Sequence, residues 1–293
     1  MNRPIAGISR ATEAAGRQKQ QLGGKGAASR NSRWLKASLL PALIFALWEL
    51  GSLSGRIDPL LFSAPHSIIA EFWSMTLSGE LLLHLKVSML RAFAGFLLGG
   101  TAGLLLGILA GMLRPVEDYI DPTIQMLRTI PMLALTPLFI LWFGFGELSK
   151  ILIISLGAFF PMYINSFQGV RNVDAKLFEV AEVLEFSRMK QITKLLIPAA
   201  LPNILLGLRL SLSFAWMALV VAELMGAERG VGFLIQDARS FMQTAVVFIG
   251  VLIFAAAGKI SDSLVRLLER RLLKWQDSYK GKRADGHLIR IFI

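Results

Sequence analysis

The stretch EVAEVLEFSRMKQITKLLIP, from Glu179 to Pro198, is a polar, amphipathic insert between two strongly hydrophobic segments. It ends in a proline just as the next hydrophobic segment begins. A loop that only joins two membrane helices can be short, whereas this one has the periodicity of folded helix and carries charges of both signs. The insert therefore predicts an all-α membrane protein whose loop is gripped by something outside the bilayer.

The insert contains the pattern of two short amphipathic helices. In the first, Asp174 is a suitable N-cap, and the apolar residues that follow at i, i+3, i+4 and i+7 are Leu177, Val180, Ala181 and Leu184. After Glu185 and Phe186, Ser187 is a suitable cap for a second short helix. Two such helices would form a stiff projection, which can transmit force in a way that a flexible loop cannot.

The composition is typical of a multi-pass membrane protein. Of 293 residues 54% are hydrophobic, and the mean hydropathy is +0.58. The chain has no cysteine, which excludes disulfides and thiolate chemistry. Its three histidines, His66, His84 and His287, are scattered and indicate no metal cluster. We expect no catalytic residues, no metal and no cofactor in this chain.

Six segments are apolar and long enough, or nearly so, to cross a bilayer core of about 30 Å. These predicted spans are residues 38–53, 92–112, 130–145, 151–167, 202–222 and 241–258. They divide the chain into a basic tail (1–36), a transmembrane domain (37–265) with a loop at 171–198, and a second basic tail (266–293).

Lysine and arginine residues predict the orientation of the chain. With the N-terminus inside, the inner segments hold 24 of the 31 basic residues, including Arg114 and Arg128 between the second and third spans. The outer loops hold only four: Arg56, Lys150, Arg229 and Arg239. This bias predicts cytoplasmic N- and C-termini and a cytoplasmic insert. The net charge of +11 is then explained by orientation and lipid headgroups, without nucleic acid.

Several charged residues lie in or near the spans, and one of them has two interpretations. Arg209, within the fifth span, either lines the transport path and attracts an anion or pairs with a carboxylate on another span. Lys86 and Arg91, just before the second span, are expected to snorkel to the outer surface. Glu49 and Glu223 end the first and fifth spans and are expected to be structural.

Prolines and glycines mark two further features of the spans. Pro131 and Pro137 each remove a backbone donor, so the third span is expected to be kinked or partly unwound, either for packing or because it lines the path. The second span has a glycine at every fourth position, which predicts close contact with another helix of this or another chain: Gly95, Gly99, Gly103, Gly107 and Gly111.

The insert resembles the EAA motif of permease subunits of binding-protein-dependent ABC importers. That motif reads Glu-Ala-Ala, three residues, Gly, nine residues, Ile, one residue, Leu-Pro. The same positions are occupied here by Glu179, Val180, Ala181, Glu185, Leu195, Ile197 and Pro198. The main departure is Glu185 at the glycine, which puts in question the tight turn that glycine permits.

Other segments resemble the alkanesulfonate branch of this family, which includes taurine and nitrate permeases. They are IQMLRTIPMLALTPLFILWFG, FPMYINSFQGVRNVD, LPNILLGLRLSLSFAWMALVVAE and LLERRLLKW, and the likeness extends from about residue 39 to 275. The resemblance implies the type I importer permease fold in the bacterial inner membrane. It also implies a coupling loop that docks on an ABC ATPase subunit, and its residues here are Glu179, Ala181, Leu184, Glu185, Ser187, Ile197 and Pro198.

The resemblance further implies how the chain is powered. The GxxxxGK[ST] phosphate loop is absent from the sequence, so the chain cannot bind ATP by that device. In this family two ATPase subunits move two permease subunits, here expected to be a homodimer, and a periplasmic or lipid-anchored binding protein delivers the substrate. Aliphatic sulfonates are the expected cargo, with taurine, nitrate or a pyrimidine vitamin precursor as alternatives.

Three readings of a different kind compete with this one. An ion-coupled secondary transporter would favour an inverted repeat and paired intramembrane carboxylates, and neither is evident. A membrane enzyme would need a constellation of histidine, cysteine or carboxylate residues. The insert itself could also be an amphipathic loop that rests on lipid headgroups.

Overall fold

The computed structural model describes residues 39–274, and these contain helices and no strand. The predicted tail 1–36, and the predicted second tail beyond residue 274, lie outside this part of the chain. The helices are α1 (Leu39–Leu53), α2 (Pro65–Leu77), α3 (Glu80–Met112), α4 (Arg114–Leu127), α5 (Met132–Phe143), α6 (Glu147–Arg171), α7 (Ala175–Val183), α8 (Arg188–Gln191), a π-helical turn (Ile192–Leu196), α9 (Ile197–Gly226), α10 (Val231–Ser240) and α11 (Thr244–Leu272).

Residues 39–69 form a unit of their own by internal contacts. Within it, the Nδ1 atom of His66 lies 2.6 Å from a carboxylate oxygen of Glu49, near the end of α1. This contact gives Glu49 a structural role in tying α1 to the segment that follows it.

Among residues 39–274, four helices are long and apolar enough to cross a membrane: α3, α6, α11 and the continuous helix Arg188–Gly226 that contains α9. The pair α4–α5 would make a fifth span if the two helices are counted together. The described part of α1 is a shorter apolar helix. The predicted second, fourth, fifth and sixth spans overlap the four long helices, and the all-α membrane fold is confirmed.

The third predicted span is a broken one. Its helix, α5, has only 12 residues and meets α4 at a bend of 98°. The break falls at Arg128–Pro131, where Pro131 has an extended backbone and caps α5. Pro137 lies inside the regular helix. The sequence predicts a loop in place of α4, because Pro122 and four acidic or basic residues hide the amphipathic pattern of this helix.

The glycine stripe of α3 packs against α6 of the same chain. A Cβ atom on Gly107 would lie 2.6 Å from the carbonyl oxygen of Tyr163, and one on Gly95 would lie 2.6 Å from Ile154. Gly99, Gly103 and Gly111 face α6 in the same way. Because side chains are absent along this stripe, the two backbones come into direct contact, as small residues allow in membranes.

The ends of the long helices meet in two groups. Val170, at the end of α6, packs with Leu196, Ala200 and Ile108. Ile108 lies near the end of α3. We call the end of the bundle that contains this cluster the loop end. The far end contains the start of α6 and the end of α9. Glu223 is 26 residues beyond Ile197, so the ends are roughly 39 Å apart along α9 at about 1.5 Å per residue.

Candidate coupling loop and transport path

The first part of the insert is the helix α7, as the periodicity predicts. The Asp174 side chain caps it by accepting a hydrogen bond of 3.0 Å from the amide of Lys176. Ala181 is only 1% exposed, and Phe178 packs against the cluster at the loop end. One side of α7 is therefore anchored on the membrane helices.

The other side of α7 presents apolar residues to the surroundings. Val180 is 56% exposed and Val183 83% exposed. We call these two, with three further exposed apolar residues, the coupling surface: Leu177, Val180, Val183, Leu184 and Met189. Exposed apolar residues grouped on a polar loop are typical of an interaction site, and their buried neighbours hold the surface in place.

Glu185 keeps the turn that glycine would make. Its φ is +52°, in the left-handed region. The amide of Glu185 donates to the carbonyl of Glu182, and the amide of Phe186 donates to that of Ala181, each at 2.9 Å. These two bonds form a Schellman motif, whose left-handed position is usually glycine. The departure from the family motif therefore leaves the tight turn intact, at the cost of a strained residue.

The second part of the insert differs from the prediction. Ser187 does precede a helix, but its side chain makes no capping hydrogen bond. That helix, α8, does not end before the fifth span: it continues through the π-helical turn into α9 and forms one helix from Arg188 to Gly226. The prediction of a separate short helix is wrong in this respect.

The π-helical turn accommodates Pro198 near the start of α9. The amide of Ile197 bonds to the carbonyl of Ile192, five residues earlier, and Pro198 has no amide hydrogen to donate. In a regular α-helix the proline ring would clash with the carbonyl four residues back. With this wider turn the helix continues, so α8 is directly continuous with a helix long enough to span a membrane.

The three residues predicted for the transport path lie in different surroundings. Arg209 is 3.8 Å from a carboxylate oxygen of Glu269 on α11, which fits the pairing interpretation. Pro131 lines a cavity of about 450 Å³ between α5, α6 and α9. Pro137 is not among the residues that line this cavity.

A buried polar network joins four helices at the far end. Arg91 is 4% exposed, so the expectation that it snorkels to the outer surface is wrong. Its guanidinium donates to Glu147 on α6 through two bonds of 2.6 Å and to Glu223 on α9 through one of 2.8 Å. Lys86, by contrast, is exposed.

Glu223 is the centre of this network, and its side chain is fully buried. Besides Arg91, the hydroxyl of Ser88 and the amide of Gly232 donate to it at 2.8 Å. His84 and Ser88 accept bonds from the amides of Gly230 and Val231 at the start of α10. The network thus ties α10 and α9 to the start of α3.

The sequence did contain a signal for this network. His84, Ser88 and Arg91 lie at i, i+4 and i+7, and the same helical face continues into the glycine stripe at Gly95. The predicted span begins only at residue 92, so it does not include the polar residues of this face, whereas α3 begins at Glu80. No group of three metal-ligating side chains occurs within residues 39–274.

Comparison with known proteins assigns the chain to a family. The family model described as "binding-protein-dependent transport system inner membrane component" matches residues 103–274. The chain belongs to this family. The assignment made from the EAA motif is therefore confirmed, and membership implies an ATPase and a substrate-binding protein as partners. The chain is a multi-pass inner-membrane protein.

Three relatives cover most of the chain. It is 60% identical to a protein of Bacillus subtilis (strain 168) named as an aliphatic sulfonates transport permease, SsuC, over 85% of this chain and 90% of that one. It is 44% identical to the SsuC of Escherichia coli (strain K12), over 84% and 93%. It is 34% identical to the taurine transport system permease TauC of the same strain, over 82% and 89%.

The fold also resembles that of a solved ABC transporter. The crystal structure of an amino acid ABC transporter with histidines matches with a TM-score of 0.57 and 18% identity, over 69% of this chain and 96% of that one. At this identity the likeness supports the fold alone. The relatives are permease subunits, which are not themselves enzymes.

Proposed function

We propose that this chain forms the membrane path of an ABC importer for aliphatic sulfonates, and that a separate ATPase subunit docks on the coupling surface. The observation that carries the proposal is the construction of the insert. An exposed apolar surface stands on an anchored base and is continuous with a membrane-spanning helix. A loop resting on lipid headgroups would need no such rigid connection.

ATP binding and hydrolysis belong to the docked ATPase subunit in this proposal. Closure of two ATPase subunits pushes α7 and α8, and the push reaches α9 without an intervening flexible joint. Since one chain supplies four or five spans within residues 39–274, two copies enclose the path between them. The insert and both termini then face the cytoplasm, the basic residues contact lipid headgroups, and the binding protein docks at the far end.

The cargo is proposed from the relatives. Identity is 44% to the sulfonate permease of E. coli and 34% to the taurine permease of the same strain. A deletion strain should fail to grow with an alkanesulfonate as sole sulfur source but grow normally on sulfate. Normal growth of the deletion strain on sulfonates, in a host without a second sulfonate system, would contradict the cargo.

Docking can be tested with two charge substitutions on α7. Val180→Asp places a carboxylate in the coupling surface, and burying it unpaired against a partner is unfavourable. Ala175→Asp adds the same charge to the same helix, roughly 140° around from Val180 at about 100° per residue. Both residues are exposed, so neither change should affect folding.

The measurement is the amount of ATPase subunit that co-purifies with each variant from membranes. We expect at least a tenfold loss for Val180→Asp and a normal amount for Ala175→Asp. Full retention of the ATPase by Val180→Asp, or equal loss by both variants, would contradict docking at the coupling surface.

A further inference from the structure

The cavity at the break between α4 and α5 lies halfway along the membrane helices. Leu210, which lines it, is about 20 Å from the start of α9 and about 24 Å from its end. Phe160, on the opposite wall, is about 20 Å and about 17 Å from the two ends of α6. Its volume of about 450 Å³ is within the usual range for small-molecule sites.

Arg128 lies at the rim of this cavity, in the broken segment itself. The charge count predicts an inner loop position for Arg128, and in the structure it lines the same cavity as Phe160 and Leu210. Within the described residues its side chain has no carboxylate within 4.0 Å. A cation at such a depth is costly and normally faces a wet cavity or has a partner.

The remaining lining is largely apolar and contains no acidic residue. Its apolar members include Leu135, Leu156, Phe160, Ile164, Leu210 and Phe214, and its uncharged polar members are Thr129 and Asn165. The amide nitrogen of Asn165 donates to the carbonyl of Pro161, at 2.7 Å. The cavity thus combines one unpaired cation with an apolar pocket.

We propose that this cavity binds an alkanesulfonate during transport, with the sulfonate at Arg128 and the hydrocarbon chain against Leu210 and Phe214. This inference rests on the proposed function and adds a site within the permease itself. A planar guanidinium suits an oxyanion with several acceptor oxygens. Nitrate would use the cation but leave the apolar walls without a function. Arg128 is exposed in the single chain, as a residue facing a path between two copies would be.

The site is tested in proteoliposomes that contain the chain, its ATPase subunit and its binding protein, with labelled ethanesulfonate and octanesulfonate as probes. Arg128→Ala should lower ATP-driven uptake of both at least tenfold, whereas Arg128→Lys, which keeps the charge but not the planar guanidinium, should lower it less. Arg114→Ala removes an exposed cation from the other end of α4 and should transport normally.

A second variant tests the apolar wall. Leu210→Trp narrows the cavity and should reduce uptake of octanesulfonate several-fold more than that of ethanesulfonate. Uptake by Arg128→Ala at the wild-type rate would overturn the site. The same result is expected if a membrane lipid, and not the sulfonate, occupies the cavity. Loss of ATPase co-purification by Arg128→Ala would also overturn it, because the effect would then be structural. Wild-type proteoliposomes that transport neither probe would instead refute the proposed function.

Discussion

Removing the charge of Glu223 tests whether the buried network stabilises the far end of the bundle. The carboxylate accepts hydrogen bonds from Ser88, Arg91 and the amide of Gly232. Glu223→Gln has nearly the same shape, but its amide group has one acceptor oxygen and one donor nitrogen. At least one of the three donors therefore faces another donor in the variant.

The expected loss follows from these contacts. A hydrogen bond to a charged group contributes about 1.5–3 kcal/mol, and a buried unsatisfied donor costs about 1–3 kcal/mol. Arg91 still has Glu147 in the variant, so the full penalty of an isolated buried charge does not apply. We expect Glu223→Gln to lower the free energy of unfolding by about 2–4 kcal/mol.

Glu147→Gln is the matched control, because it removes a carboxylate from the same arginine. Its side chain is 59% exposed, against 0% for Glu223. Water can replace the lost bonds at an exposed site, so the loss should be below about 1 kcal/mol.

The assay is thermal unfolding of the purified protein, followed by tryptophan fluorescence. A loss of 3 kcal/mol corresponds to a decrease in the midpoint of roughly 6–12 °C for a domain of this size. Equal midpoints for the two variants would refute the argument that burial makes Glu223 the more important carboxylate.

Two further predictions concern backbone contacts and are measured by the same unfolding assay. Gly107→Ala should destabilise the protein by about 1–3 kcal/mol, because the new Cβ meets the backbone of α6 at 2.6 Å. Gly100→Ala, whose nearest neighbour is a side-chain atom at 3.4 Å, should be tolerated, and equal effects would contradict the close packing. Glu185→Gly should stabilise the protein by about 0.5–1 kcal/mol, since relief of left-handed strain exceeds the added freedom of the unfolded chain. Ser187→Gly is the control, because Ser187 has an ordinary φ of −60°, and it should not increase the free energy of unfolding. A decrease in the free energy of unfolding for Glu185→Gly would show that the turn is unstrained.

Sequence reasoning was most successful where the pattern is local. The periodicity and Asp174 predicted α7, and the glycine repeat predicted a closely packed helix face. The continuous helix through Pro198 was missed, because proline ordinarily suggests a helix start and the π-helical turn has no sequence signature of its own.

The positions of the charged residues could not be predicted from hydropathy. The predicted second span begins just after Arg91, because a hydropathy window excludes a charged residue. In the structure, Glu147 and Glu223 neutralise that arginine inside the bundle. Arg128 looked like an ordinary loop residue because hydropathy does not show that the segment between α4 and α5 bends by 98° and lies beside α6 and α9. Both cases depend on helices that are far away in the sequence.

The most direct measurement of the central claim is uptake of a labelled alkanesulfonate into proteoliposomes with and without the ATPase subunit and ATP. Because the chain is proposed to move only when its coupling surface is pushed, we expect uptake when the permease, the ATPase subunit, the binding protein and ATP are all present. Uptake at a comparable rate by the permease alone, without nucleotide, would contradict this account.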